Sequence, residues 1–229
     1  MPLYGGNKVR KLEFLFPDAV AHGADSLFTM GAAGSNHSAA TAFWAHEKGL
    51  ACTLFLRPQH RSYNVLYNLL LDKVVGATIV ASETREERAA ALVQSACAQR
   101  SERARLPYCI PIGGSTPLGI VGLVNAAFEV RDQVQQGLMP EPDYIYVALG
   151  SGGTAAGLIL GCKLAGLKTR VKAVAVEPGT DASWHTLIDH LIVARMNCCM
   201  TQTRRCHSIR PMHSRTTWLH PHVVMTMAC

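Results

Sequence analysis

The chain has no apolar run long enough to cross a bilayer; stretches such as residues 144–149 are far too short. No basic region followed by an apolar core opens it, so export is not expected and a cytoplasmic location is. Charge is scarce: 17% of the 229 residues are charged against 48% hydrophobic, which predicts a sizeable buried core in one large or two small domains. A basic face is missing as well. The formal net charge is +6, but residues 184–229 hold five arginines against one acid, so the preceding body is nearly neutral. Neither nucleic acid nor membrane is expected as a partner.

From residue 184 onward there is no glycine and no lysine, and Tyr146 is the last tyrosine. The same stretch holds six of the ten histidines, five of the eight methionines and four of the eight cysteines. A folded continuation needs turn glycines between its elements. Residues 181–229 are therefore expected to form an atypical tail outside the folded body, disordered or aberrant in origin. Cys198, Cys199, Cys206 and His207 lack the two-plus-two spacing of a zinc site, so no metal is expected. The other cysteines (Cys52, Cys97, Cys109 and Cys162) lie in apolar segments and are expected as buried free thiols.

What is present between residues 26 and 177 is alternation. Short apolar runs at 26–30, 51–56, 77–81, 108–110, 144–149 and 171–176 predict strands. Longer segments at 35–48, 64–75, 84–103, 118–136 and 154–165 predict helices. Strands alternating with helices of this length predict an α/β fold with mostly parallel sheets.

Four motifs carry chemistry. Near the start stands Gly5-Gly6-Asn7-Lys8-Val9-Arg10-Lys11-Leu12-Glu13. Its glycines permit close backbone approach. Lys8 is a candidate amine nucleophile, a role that needs a desolvated or electropositive setting to release its proton. Arg10 and Lys11 supply positive charge nearby in sequence.

The second motif, Gly31-Ala32-Ala33-Gly34-Ser35-Asn36-His37-Ser38, follows a strand and opens a helix. Ser35 is either a plain N-cap or a group over a bound ligand. Asn36 is suited to hydrogen-bond a phenolate oxygen. His37 fits an acid or base, and equally a packing or capping role.

In the third, Gly113-Gly114-Ser115-Thr116-Pro117-Leu118-Gly119, Ser115 or Thr116 reads as a helix cap with Pro117 at the first helical position. The fourth, Gly150-Ser151-Gly152-Gly153-Thr154, fits two templates. As a nest of amides with two hydroxyls it suits a phosphate monoester. With Ala155, and with Glu177 closing the next strand, it imitates a dinucleotide fingerprint. The dinucleotide template leaves Lys8 unexplained. An amine nucleophile and a phosphate cradle together suggest a cofactor with a carbonyl at one end and a phosphate at the other, which describes pyridoxal 5'-phosphate.

The four motifs, in this order, resemble those of the D-cysteine desulfhydrase and 1-aminocyclopropane-1-carboxylate deaminase family over roughly residues 3–178. The resemblance implies the two-domain, tryptophan-synthase-β-like fold of pyridoxal-phosphate enzymes (fold type II). Residues 1–30 would start the large domain, 31–112 form the small one that closes over substrate, and 113–180 return to the large domain. It implies that Lys8 holds the cofactor covalently and that Asn36 contacts the ring oxygen. Gly150, Ser151, Gly152, Gly153 and Thr154 would bind the phosphate. Ser35, Asn36 and His37 would meet the substrate, with Ser35 assisting its proton chemistry. The implied reaction is elimination from a small amino acid, D-cysteine to pyruvate, ammonia and hydrogen sulfide, in a homodimer.

Members of the family also carry a segment before the lysine motif, and a C-terminal part that supplies tyrosines and a partner for the pyridine nitrogen. This sequence begins four residues before its motif, and both segments are expected to be missing. Three alternatives stay open beside D-cysteine desulfhydrase: ring-opening deamination of 1-aminocyclopropane-1-carboxylate, a truncated relative that turns over nothing, and a nucleotide-binding module.

Overall fold

The computed structural model describes residues 6–176, 181–202 and 223–227, with side chains described for all but 181, 197–202 and 223–227. Two compact units divide the chain, Met1–Gly114 and Ser115–Cys229.

The first unit runs α1 (Val9–Ala21), β1 (Ser26–Ala32), α2 (Asn36–Glu47), β2 (Ala51–Arg57), α3 (Tyr63–Val74), β3 (Thr78–Ala81), α4 (Arg85–Arg103) and β4 (Tyr108–Ile110). Its strands form a parallel sheet in the order β3-β2-β1-β4, with Leu27 of β1 beside Cys52 on one side and Tyr108 on the other. A parallel strand flanked by crossovers is covered on both faces, which is why β1 and β2 are largely apolar and buried at successive positions. Phe28 and Phe55 pack there with ring centroids 5.2 Å apart.

Helix α2 begins at a true N-cap. Ser35 is extended, and its hydroxyl accepts the Ser38 N–H at 3.2 Å. The helix lies so close to β1 that a Cβ on Gly31 would fall 2.5 Å from Ser38 Oγ, so only glycine fits near the end of that strand. Thr84 and Glu87 open α4 with a capping box.

The second unit runs α5 (Val121–Gln135), β5 (Tyr144–Leu149), α6 (Gly153–Ala165), β6 (Arg170–Ala175), α7 (Asp181–Gln202) and β7 (Val223–Met227), with a parallel sheet in the order β5-β6-β7. Helices α5 and α6 meet through glycines. A Cβ at Gly157 would sit 2.5 Å from Leu123 Cβ, and one at Gly161 2.7 Å from Ala127 Cβ.

The alternation read from sequence is present, and the α/β class with parallel sheets holds. Three local differences have physical causes. Helix α5 starts at Val121 rather than 118, because Thr116 Oγ1 caps a separate turn by accepting the Gly119 N–H at 2.9 Å. Cys97 and Cys109 are exposed while Cys52 and Cys162 are buried: Cys97 lies on the largely solvent-facing α4, and Cys109 on the edge strand β4. The stretch from 181, expected outside the body, contains α7. Its Trp184, Ile188, Leu191 and Ile192 join the core formed by α5, α6, β5 and β6. Positions i, i+4, i+7 and i+8 share one helical face, and that stripe suffices without any glycine.

Candidate active site

Lys8 stands at the N-cap of α1 and is half-buried. Burial holds its ammonium below the ordinary lysine range, which raises the fraction of neutral, nucleophilic amine. One turn on, Lys11 is fully buried and donates from Nζ to the Gly113 carbonyl at 2.8 Å. Burial first, and the Lys8 charge second, bring its pKa down to about 7. For Lys8 the cause is burial alone, so it is desolvation that favours its neutral amine.

The Gly34–His37 segment belongs to the same unit. His37 is 2% exposed, and Nε2 lies 3.0 Å from Thr29 Oγ1. Thr29 gives its only hydroxyl hydrogen to the Ile110 carbonyl at 2.9 Å, so its oxygen accepts from His37 Nε2–H. Burial, then the charges of Lys11 and Lys8, lower the His37 pKa to about 3. The ring is neutral at working pH and ties α2 to β1 and β4. A Cβ on Gly114 would meet His37 Cε1 at 3.4 Å and Lys11 Cβ at 3.5 Å, so the start of α2 and the first turn of α1 converge on this glycine. His37 Nδ1 and Ser38 Oγ, both buried, have no hydrogen-bond partner among the described residues.

Asn36 opens α2, and its Oδ1 accepts from Asn68 Nδ2 on α3 at 2.9 Å. The same Nδ2 donates to the Gly34 carbonyl at 2.9 Å, and Gln59 Oε1 accepts the Gly34 N–H at 3.0 Å. Neither Asn68 nor Gln59 stands out in the sequence. The available signal was a polar residue, Asn68, set within the leucine-rich face of 64–75.

The second unit holds the other set. Strand β5 ends at Leu149, and Gly152 caps α6 in the left-handed region at φ 75°. Any other residue there would be strained, and its Cβ would press on Leu187 of α7 at 3.0 Å. Ser115 Oγ lies 2.8 Å from Ser151 Oγ and accepts the Gly153 N–H at 3.1 Å. Ser115 thus caps α6 rather than the helix that follows it in sequence. First-turn amides with two serines and the buried Thr154, and no carboxylate among them, are a donor set that fits a phosphate monoester. Glu177, which would complete the dinucleotide template, lies outside the described residues.

Lys8, Ser35, Asn36 and His37 are gathered in the first unit, and Gly150–Thr154 in the second. No group of three or more His, Cys, Asp or Glu side chains positioned to hold a metal occurs among the described residues.

Parallel α/β units with a desolvated lysine at the start of α1 and hydroxyl-rich amides at the start of α6 are compatible with an enzyme that binds a phosphorylated carbonyl cofactor. Residues 1–205 match the family model described as pyridoxal-phosphate dependent enzyme, and the chain belongs to that family. It is 40% identical over 179 residues to a putative 1-aminocyclopropane-1-carboxylate deaminase of Thermotoga maritima, covering 78% of this chain and 55% of that protein. It is 41% identical over 162 residues to a D-cysteine desulfhydrase of Klebsiella pneumoniae, covering 69% and 48%. A solved ACC deaminase homologue superposes with a TM-score of 0.74 at 29% identity, over 96% of this chain and 62% of that one. The chain thus spans about half the length of the curated relatives it matches.

Proposed function

We propose that this chain serves a pyridoxal-phosphate-dependent elimination in which D-cysteine and water become pyruvate, ammonia and hydrogen sulfide. The carrying observation is Lys8, a half-buried amine with a depressed pKa at a helix start beside the Gly34–His37 segment. When bound, the cofactor supplies an electron sink for the carbanion formed at the substrate's α-carbon.

The residues of this chain divide the remaining work. Lys8 Nζ would hold the cofactor at its carbonyl carbon, and its amine would take the substrate's α proton. Asn36 binds the ring oxygen. Gly150, Ser151, Gly152, Gly153 and Thr154 bind the phosphate. Ser35 sits beside the substrate. His37, which the resemblance placed at the substrate, holds the start of α2 through Thr29. Residues 31–112 act as the smaller domain, and 1–30 with 113–180 as the larger. The same proposal extends to a homodimer in the cytoplasm, which sedimentation and cell fractionation test.

A second reading, ring-opening deamination of 1-aminocyclopropane-1-carboxylate, is favoured by relatives that carry that name. Pyruvate release separates the two substrates. The chain incubated with pyridoxal phosphate is expected to show a visible absorbance band that is lost in Lys8→Ala, and borohydride is expected to fix the label on Lys8. A label elsewhere, or no band in a folded sample, overturns the Lys8 assignment. A nucleotide binder shows no band. A band with neither pyruvate from D-cysteine nor the four-carbon 2-oxo acid from the cyclopropane substrate identifies an inactive relative.

A further inference from the structure

Asn68 stands one turn into α3, 3% exposed, with its side chain turned onto the Gly34–Asn36 segment. Helix α3 presses on that segment directly: a Cβ on Gly34 would lie 2.7 Å from Val65 Cγ2 and 3.1 Å from Gln59 Oε1. The segment is thus clasped by the Gln59 amide oxygen at the Gly34 N–H and by the Asn68 amide nitrogen at the Gly34 carbonyl.

The polarity of this arrangement is fixed by the backbone. A peptide carbonyl only accepts, so the side of Asn68 that faces the Gly34 oxygen must be Nδ2. The second Nδ2 hydrogen then points at Asn36 and requires an acceptor, which makes the near atom of Asn36 its Oδ1, at 2.9 Å. Turning the Asn68 amide over would set its oxygen against the Gly34 carbonyl. Turning the Asn36 amide over would set two NH2 groups against each other. Neither reversal is compatible with an unaltered main chain.

We propose that Asn68 is a positioning residue: it sets the orientation of the Asn36 amide so that Asn36 meets the cofactor ring oxygen as a donor, through Nδ2. This rests on the assignment of Asn36 to the ring oxygen made above. An oriented N–H facing a phenolate-type oxygen stabilises its anionic form, and a charge-assisted bond of that kind is stronger than a neutral one. A wrongly turned amide would present its oxygen and repel the same group. The specific role of Asn68 is therefore one of sign, beyond any contribution to packing.

The test uses the full chain loaded with pyridoxal phosphate, with cofactor affinity and the pH midpoint of the bound ring's absorbance as readouts. In Asn68→Asp the side chain only accepts, so Asn36 turns its Nδ2 inward. Affinity is expected to fall about tenfold or more, and the midpoint to rise. Asn68→Ala releases the orientation without reversing it and is expected to lose less. In an Asn36→Ala background neither substitution is expected to change affinity or midpoint further. Folding of each variant is followed by thermal melts, and the Asn68→Ala, Asn36→Ala cycle decides the matter if Asn68→Asp does not fold. Wild-type affinity and midpoint in a folded Asn68 variant, or losses that simply add to those of Asn36→Ala, overturn the proposal. Lys8→Ala separates the two claims: cofactor that binds without a lysine-dependent band removes the Lys8 assignment, while the Asn68–Asn36 coupling is still read from affinity. In the cofactor-free chain, Asn68→Asp is expected to move the side-chain amide resonance of Asn36, and an unmoved resonance overturns the orientation itself.

Discussion

Lys11 Nζ donates to the Gly113 carbonyl at 2.8 Å across 102 positions of sequence, with no part of the lysine exposed. The bond fastens the first turn of α1, and with it Lys8, to the turn after β4. A buried ammonium is expensive, and its cost appears as a pKa of about 7 against 10.5 for a free lysine.

That cost has a pH signature. Between about pH 7 and 10.5 the unfolded chain binds a proton at Lys11 that the folded chain does not, so the Lys11 contribution to stability rises with pH across this window. Below pH 7 both forms are protonated and the contribution is flat. Lys11→Met keeps the volume and removes the titration. The stability of the native chain minus that of the variant is expected to climb by about 1–3 kcal/mol from pH 7 to 10, measured by urea melts. A pH-independent difference would place the amine in water.

Asp72 produces the opposite slope in the same unit. It is 1% exposed, its Oδ1 has no hydrogen-bond partner among the described residues, and burial raises its pKa to about 7 from 3.8. The folded chain holds a proton there that the unfolded chain loses above pH 4, so this contribution falls as pH rises from about 4 to 7. The variant Asp72→Asn has no carboxyl at this position and carries no such proton. Melting temperatures of native and variant chains are expected to diverge over that window, with the native chain losing ground. Parallel curves would contradict a buried carboxyl.

Much of this molecule is legible in its sequence, and the misses share a cause. Six strands and five helices follow from apolar runs punctuated by glycine and proline, and β1 and β2 are buried along most of their length, as a parallel sheet covered on both faces needs. The motif glycines were equally visible: Gly31 and Gly152 stand where a side chain would collide or strain. Helix α1 escaped because Pro17 interrupts its pattern and its buried face includes a lysine, Lys11. Helix α7 has no glycine to mark its end, and only the spacing of Trp184, Ile188, Leu191 and Ile192 marks its buried face. In the proposed site, motif context offers Lys8, Asn36 and Gly150–Thr154 as candidates. Asn68, Gln59 and the capping of α6 by Ser115 could not be read there, since each acts on a segment distant in sequence.

The glycines of α6 set two effects against each other. At an exposed helix position, glycine to alanine favours the helix by about 1 kcal/mol. At Gly157 the new methyl would meet the Ile120 carbonyl at 2.6 Å and Leu123 Cβ at 2.5 Å, and at Gly161 the Val124 carbonyl at 2.8 Å. Backbone does not yield as a flexible side-chain tip does, and overpacking costs about 1–3 kcal/mol. Gly157→Ala and Gly161→Ala are each expected to destabilise in denaturant titrations, whereas Gly166→Ala, at a left-handed cap with open space around it, is expected to lose stability through backbone strain alone.

Ser115 and Thr116 are adjacent hydroxyls with separate duties, which makes them a controlled pair. Thr116 Oγ1 accepts from Gly119 N–H within its own turn, while Ser115 Oγ accepts from Gly153 N–H at the start of α6 and touches Ser151. Loss of either cap leaves a backbone N–H without its side-chain acceptor and is expected to lower stability by about 1 kcal/mol. Only Ser115 stands at the proposed anion cradle. One of the two hydroxyl hydrogens closes the Ser115–Ser151 bond, and the other is the donor that an incoming phosphate would use. Inorganic phosphate is therefore expected to raise the melting temperature of the native chain and of Thr116→Ala by similar amounts, and that of Ser115→Ala by clearly less. Equal phosphate shifts in both variants would confine Ser115 to capping and move the anion elsewhere on α6.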